Sequence, residues 1–536
     1  MDKPSRKLIC MDNQNVFLSN VDVIYGFMQG FTKHDNLEHI RGMHCQMIYN
    51  GLDSIPFLGD HFIRLFASYG SLSEASTMFR KFNKPSAYTW NAIISAHVNA
   101  GQCQSSLELF NKMKEQNINP NRITYLSIIK ACYMTNALEN ARIIHKEIDA
   151  SNCGSNLVVE NALIDMYAKF GRLDEAKTVF CNMVLRDVAS WGAMISGYVQ
   201  HNYSRLAIEL FKEIQSEDVK PDMVIFSCVL KACGQIEALK EGKLIHGLIL
   251  RGEFEPGSNL FLGNTLIDMY GKCASLEDAQ ITFDNMVPQD AVSWSTLIAG
   301  YTNNGFEISA LQLFEEMQAR RVNPVKTTYL SVLKACGNVE SLHHARVLHN
   351  KIIQNEVLMD QEIGNSLLDV YTKCKQMYDA QSVFDDLVVR NDVSWNVLIA
   401  GYAGCNDYLS ALKLFEEMQE KGFKPSEITV SVILKACGST KTLEYGQSIH
   451  KKIMQNQVAC DKVVQNTLID MYIKCGNIKE AQIAFDEMLS KDIVSWGVII
   501  SGNVQHGYIR HAFELFDEMQ NKNIQPNDVI FSSILK

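Results

Sequence analysis

Proline and tryptophan are scarce in this 536-residue chain, at ten and five. With so few prolines, and with no serine- or glutamine-rich stretch, no segment reads as a linker. Basic charge is not in excess: 50 Lys and Arg stand against 60 Asp and Glu, a net charge of −10. That argues against a generally basic nucleic-acid binder, although a local basic stripe is compatible with it, because recognition depends on where charges sit. No apolar run approaches the ~20 residues that a membrane helix needs. Residues 1–20 have no apolar signal core, and Lys3, Arg6 and Lys7 are mixed with Asp2 and Asp12. They make a poor organelle transit peptide and stay unassigned. Fifteen cysteines include no CxxC pair, so zinc-ligand spacing is absent. No Gly-rich phosphate loop or nucleophile elbow occurs in a strand-to-helix context. The sequence therefore offers no catalytic residue, no metal site, no cofactor and no membrane partner.

What is present is a repeat. The chain is longer than the ~250–300 residues at which one core stops growing. Its 47% hydrophobic and 21% charged content excludes a disordered chain. All five tryptophans, Trp90, Trp191, Trp294, Trp395 and Trp496, are spaced 101, 103, 101 and 101 residues apart. Pro120, Pro221, Pro324, Pro425 and Pro526 keep the same phase, as do His44, His145, His246, His349 and His450. Cys132, Cys233, Cys336 and Cys437 recur likewise, as do Cys273, Cys374 and Cys475, like small core residues in a reducing compartment. A fixed period of this kind is the signature of a stacked array.

Each period holds three units. In 392–426, Trp395, Leu398, Ile399 and Tyr402 keep helical spacing, and Ala411, Leu414, Phe415 and Met418 repeat it. Between the two helices a turn slot holds Gly70, Gly101, Gly171, Gly305, Gly476 or Gly507, with Asn202 and Asn406 elsewhere. These residues tolerate a left-handed cap. Gly422 and then Pro425 end the second helix. Fifteen complete hairpins are predicted over residues 21–527: 21–55, 56–86, 87–121, 122–156, 157–187, 188–222, 223–259, 260–290, 291–325, 326–360, 361–391, 392–426, 427–461, 462–492 and 493–527. Lengths cycle 35, 31, 35, except for 223–259, which carries an insertion near Glu255–Gly257. We call the three kinds tryptophan units (opening at 87, 188, 291, 392 and 493), histidine units (21, 122, 223, 326 and 427) and short units (56, 157, 260, 361 and 462). A last unit, 528–536, stops inside its first helix, which predicts that the natural chain continues.

Tetratricopeptide repeats keep a strict 34-residue period, which this cycle does not fit. Lines such as VSWNVLIAGYAGCNDYLSALKLFEEMQEKGFKPS and VVQNTLIDMYIKCGNIKEAQIAFDEMLSKD closely resemble pentatricopeptide repeats, and the cycle of lengths resembles their plant PLS subclass. In that scheme the tryptophan, histidine and short units are the P, L and S types. The resemblance covers 21–536. It implies an all-α, right-handed superhelical solenoid of helix-turn-helix hairpins that binds single-stranded RNA, one base per repeat, in mitochondria or chloroplasts. PLS members mostly select cytidines for conversion to uridine. Many end in a zinc deaminase domain that is absent here, so this chain is not read as an enzyme.

Helical-repeat RNA readers use two or three side chains per base, so the readers must be polar and in phase. The first helices meet this with Asn91, Asn161, Asn264, Asn365, Asn396 and Asn466, whose amides can donate and accept. A role as a hairpin cap fits less well, since the slot elsewhere holds Asp60, Gly192, Ser295 and Gly497. In the family, this residue and the unit's last residue choose the base. By resemblance, Asn161 with Asp187, Asn264 with Asp290 and Asn466 with Asp492 are uridine readers. Asn396 with Ser426 is a cytidine reader, and Asn91 with Asn121 and Asn365 with Asn391 are pyrimidine readers. Gly192 with Asp222, Ser295 with Val325, Gly497 with Asn527 and Asp60 with Ser86 depart from the usual pairs, and the histidine units, with Leu126, Ser227, Leu330 and Ser431, follow the rule poorly. The implied target is pyrimidine-rich: 5′-YNUNNUNNYCNU-3′ from unit 87–121 onward.

Lys169, Lys272, Lys373 and Lys474 end the first helices of short units, and Lys130, Lys231, Lys334, Lys435 and Lys536 recur in histidine units. Nine lysines in register can track phosphates, the short-unit row being the phosphate-contact assignment. Cations at helix C-termini explain that row equally. The acidic runs Glu315–Glu316, Glu416–Glu417 and Asp517–Glu518 are expected on a solvent face. His145–Lys146–Glu147 matches half of a zinc deaminase motif, but the same slot reads differently in other units, so the recurring histidine is expected to be a hydrogen-bonding residue between hairpins. The leading expectation is site recognition in organelle RNA editing, with editing-complex proteins as partners. RNA binding for splicing or transcript stability is the alternative, followed by a protein–protein scaffold.

Overall fold

The computed structural model describes residues 37–535, apart from 50, 52–54, 83, 152–155, 218, 253–258, 355–359 and 456–460. The N-terminal segment, the first helix of 21–55, the insertion at Glu255–Gly257 and Lys536 lie outside the described residues. Thirty α-helices and no strands occur among them, so the all-α hairpin fold expected from the sequence is the fold observed. The chain divides into two compact bodies, residues 1–254 and 255–536.

Within each body the pattern is the same. First helices of successive hairpins pack side by side. Each second helix lies against its own first helix and against the first helix of the next hairpin. First helices such as Leu157–Lys169, Val188–Gln200 and Ala291–Asn303 are thirteen residues long, and second helices shorten to nine or ten residues in the short units, as in Leu173–Asn182 and Leu276–Asp284.

The hairpin turn is left-handed everywhere it is described. Gly70, Gly101 and Gly171 have φ of 80°, 77° and 70°, and Asn202 and Asn406 both have 62°. The same slot holds Glu237, Ala274, Glu340, Lys375 and Lys441 at φ between 50° and 57°, a backbone that costs ~1–2 kcal/mol in a residue with a Cβ. Packing therefore imposes the turn, and glycine only eases it. Gly422, at φ 79°, follows Lys421, the C-cap of the helix Tyr408–Glu420, so the second helix stops before Pro425.

The 101-residue phase of tryptophan has a packing cause. Each tryptophan is buried against a phenylalanine from the preceding short unit. Phe79–Trp90, Phe180–Trp191, Phe283–Trp294, Phe384–Trp395 and Phe485–Trp496 all meet edge to face at 4.6–4.9 Å, the geometry that ring quadrupoles favour.

Histidine has a different partner. His145, His349 and His450 place Nδ1 at 3.0, 2.9 and 2.8 Å from the hydroxyls of Tyr167, Tyr371 and Tyr472, joining each histidine unit to the short unit after it. These tyrosines are core residues, and their burial pushes the phenols up to about 12. Glu147 is taken by Lys114 at 2.6 Å, so neither end of the His145–Glu147 motif is free. Burial lowers the His349 and His450 imidazoles from 6.5. Below that value the unfolded chain binds protons that the folded one refuses, so stability is full above it and falls as pH drops. Thermal denaturation of body 255–536 is expected to shift to lower temperature between pH 7.5 and 5.5. The H349Q/H450Q chain should lose much of that pH slope.

Candidate nucleic-acid interface

The last residue of each hairpin turns out to be the N-cap of the next first helix. The Asn121 side chain accepts from the Ile123 and Thr124 amides at 3.0 and 3.2 Å, and Asp187 from Ser190 at 2.9 Å. Asp222, Asp290, Asn391, Ser426, Asp492 and Asn527 cap in the same way. Val325 has no side-chain acceptor and serves through its backbone, its N–H donating to Thr328 Oγ1 at 3.1 Å and its carbonyl accepting from the Thr328 and Tyr329 amides at 3.0 and 3.2 Å. A cap satisfies an amide that would otherwise be orphaned at the helix start.

Capping fixes each of these side chains beside the reader slot of the preceding first helix. Asn161 Nδ2 donates to Asp187 Oδ1 at 3.2 Å, Asn91 Nδ2 to Asn121 Oδ1 at 3.0 Å, and Asn365 Nδ2 to Asn391 Oδ1 at 3.3 Å. Burial alone would raise the Asp187 and Asp290 carboxyls. The Ser190 and Ser293 donors, with the Asn161 and Asn264 amides, hold both below the ordinary aspartate value. In Asp492 the Ser495 amide has the largest effect in the same direction.

A third side chain completes the constellation, and sequence reasoning missed it. The third residue of the next first helix is a buried hydroxyl, as in Thr124, Ser190, Ser293, Thr328, Ser394 and Thr429. Where the unit's last residue is Asn or Ser, this hydroxyl reaches back to the reader. Thr124 donates to Asn91 Oδ1 at 2.5 Å, Ser394 to Asn365 Oδ1 at 2.7 Å and Thr429 to Asn396 Oδ1 at 2.6 Å. In those units the hydroxyl also meets the cap residue, as Ser394 does Asn391 Oδ1 at 2.9 Å, whereas where the last residue is Asp it meets the carboxylate alone, as Ser190 does Asp187 at 2.9 Å and Ser293 Asp290 at 2.7 Å. The carbonyls of Asn161, Asn264 and Asn466 are then left without a partner among the described residues. Apart from Thr429, which precedes Val430, the hydroxyl recurs in the sequence directly before Trp or Tyr, a pattern that a search for capping boxes would have found.

The irregular pairs differ. Ser295 is buried and bonded to Ala291 O and to Thr328 Oγ1, both at 2.5 Å, so its hydroxyl is fully used. Gly192 and Gly497 present no side chain, with Gly497 and Asn527 lining one cavity of 350 Å³. Asp60 is buried, with Oδ1 unpartnered, and its carboxyl is raised by desolvation.

Three residues ahead of the reader stands a second feature missed in the sequence: an exposed apolar side chain. It is Phe57, Tyr88, Ile123, Val158 and Val224 in body 1–254. In body 255–536 it is Phe261, Val292, Val393, Ile428, Val463, Val494 and Val529. These are 47–74% exposed. Successive members flank the space over the reader slots, as Phe57, Tyr88 and Ile123 do in a 680 Å³ cavity that also contains Asp60 and Asn91. A repeated row of exposed apolar groups beside polar ones suits a ligand with flat faces and polar edges.

The short-unit lysines are exposed but paired. Lys169, Lys272, Lys373 and Lys474 each meet an aspartate one turn earlier at 2.6–2.7 Å, namely Asp165, Asp268, Asp369 and Asp470. Glu315, Glu316, Glu416, Asp517 and Glu518 are exposed on second helices, and Glu417 is half-buried. Among the described residues, no group of His, Cys, Asp or Glu gathers to hold a metal, and no helix is long and apolar enough to cross a membrane.

Within each body this is a hairpin array with a polar slot repeated along its first helices, and its sequence places it among known proteins. The PPR repeat family matches residues 85–134, 186–235, 390–439 and 491–536, and the PPR repeat matches 161–188, 292–322, 365–391 and 466–493. The chain belongs to the pentatricopeptide repeat family. It is 32% identical to pentatricopeptide repeat-containing protein At5g27110 of Arabidopsis thaliana over 93% of this chain and 72% of that one. It is 33% identical to the mitochondrial At3g09040 over 85% and 44%, and 30% identical to the chloroplastic At1g11290 over 93% and 62%. The chain thus spans from under half to under three-quarters of the length of these relatives. The fold matches the crystal structure of PPR10 from maize with a TM-score of 0.67 at 17% identity, covering 93% of this chain and 78% of that one. PPR10 has also been solved with an 18-nt psaJ RNA element.

Proposed function

We propose that this chain binds single-stranded RNA in a plant organelle, one nucleotide per hairpin. Pyrimidines are read by the amide slots, in the service of C-to-U editing. The observation that carries the reading is that the unit's last residue and the adjacent hydroxyl decide which end of each amide is free. With Asp187 or Asp290, the amide nitrogen is engaged and the carbonyl, buried and without a partner among the described residues, is left to accept once a base edge displaces its cover, which suits the N3–H donor of uracil. With Ser426, Thr429 occupies the carbonyl of Asn396 and leaves the NH₂ to donate, which suits the N3 acceptor of cytosine. Asn91 and Asn365 are engaged at both ends and keep one N–H, which either pyrimidine O2 can accept. The exposed apolar side chains flank the base faces, as stacking platforms do in single-strand binders.

The editing role rests on the resemblance of the 35, 31, 35 cycle to PLS proteins, and the organelle on relatives that are mitochondrial or chloroplastic. Fluorescence anisotropy with 5′-YNUNNUNNYCNU-3′ RNA and its scrambled version tests the reading. The matched RNA is expected to bind at least ~10-fold more tightly, since a mismatched base costs ~1–3 kcal/mol. Equal binding would overturn the assignment. In a plant lacking the chain, a single cytidine near such a sequence should remain unconverted.

A further inference from the structure

By resemblance the histidine units are poor base readers, yet four of them carry a lysine at a slot where the tryptophan units carry no charge. In their reader slots Leu126 and Leu330 have no hydrogen-bonding group, and Ser227 is buried. One turn further along the same helix face stand Lys130, Lys231, Lys334 and Lys435, all exposed. That position holds serine or alanine in the tryptophan units (Ser95, Ala299) and, in the short units, aspartate (Asp165, Asp470) except for Arg64 in the first of them.

The electrostatic consequence differs by row. Every short-unit lysine is bound to the aspartate of its own helix, so the pair has no net charge. Among the described residues, no carboxylate lies within ion-pair distance of the four histidine-unit lysines. Lys130 and Lys334 instead rest on neutral amides, donating to Asn99 Oδ1 at 3.2 Å and Asn303 Oδ1 at 2.9 Å, on the first helix of the preceding hairpin. Lys435 lines a 300 Å³ cavity with Ile428, Ser431 and Val463, and with Glu427 and Asp461, neither of which forms an ion pair with it. A neutral amide positions an ammonium without cancelling its charge, and an ammonium of this kind suits a phosphate.

We infer that the histidine units are backbone clamps. Their lysines hold the phosphates of nucleotides whose bases go unread, and the short-unit lysines contribute little. The clamp rests on the RNA reading above and moves the phosphate role from one lysine row to the other. One clamp per triplet anchors every third nucleotide and leaves the intervening two to the reader slots.

The test is the salt dependence of RNA binding by the chain, compared with two variants, K130Q/K231Q/K334Q/K435Q and K169Q/K272Q/K373Q/K474Q. All eight positions are at the surface, and circular dichroism confirms the fold. Each phosphate contact to a single strand adds ~0.7 to the slope of log K against log salt. The first variant should therefore lose about 3 from the slope and bind on the order of 100-fold more weakly at ~0.15 M salt, with base preference unchanged. The second should lose less than about 1. Neutral methylphosphonate linkages opposite the histidine units should weaken the parent chain and leave the first variant indifferent. If the parent binds RNA and the first variant keeps its slope, the clamp is wrong and the base reading stands. If the parent binds no RNA, both fall.

Discussion

Exchanging Asp187 and Asp290 for serine should turn two uridine preferences into cytidine preferences. Serine caps a helix about as well as aspartate, so the Ser190 and Ser293 amides keep an acceptor and the fold should be unaffected. What changes is the amide. Without a carboxylate, the Ser190 hydroxyl, now 2.9 Å from Asp187, is released to donate to the buried, unpartnered carbonyl of Asn161. Ser394 already makes that bond to Asn365 at 2.7 Å. The NH₂ is then freed, as it is in Asn396. At ~1–3 kcal/mol per base, the double variant should reverse the ratio of affinities for the two RNAs by about 30-fold or more. Competition binding with U,U and C,C versions of the target reads it directly. A variant that still prefers uridine at both positions would show that amide orientation does not discriminate.

The largest stability effect is expected at the tryptophans. Trp294 is fully buried, and Phe283 meets its ring at 4.6 Å. Truncation to alanine removes a large aromatic from a packed site, which costs ~3–5 kcal/mol. In a repeat array each hairpin leans only on its neighbours, so the loss should concentrate at one interface. Hydrogen exchange should show W294A losing protection first across 260–325, together with a lowered urea midpoint. The indole N–H has no partner among the described residues, so W294F should restore much of the loss. Uniform loss of protection throughout 255–536 would mean that the hairpins there unfold as one.

Much of this architecture was legible in the sequence. The tryptophan phase marks the triplets because the same Phe–Trp contact recurs in each, and a recurring contact demands a recurring residue. The polar reader slots were legible for the same reason. Three features were not. That the second residue of each reading pair is a helix cap became visible only when the next hairpin was placed against it. The hydroxyl that sets the amide is around thirty residues from the reader it touches, as Thr124 is from Asn91. The pairing of Lys169 with Asp165 lay within reach of i, i+4 reasoning, yet both rows of lysines look alike until their neighbours are known.

By itself, then, the sequence determined the fold class and the phase of the hairpins and of their polar slots, because each depends on periodicity or on local backbone preference. Tertiary structure alone decided which atom of each amide is free and which lysines keep their charge. Those properties belong to hydrogen bonds and ion pairs, whose partners are chosen by distance in space.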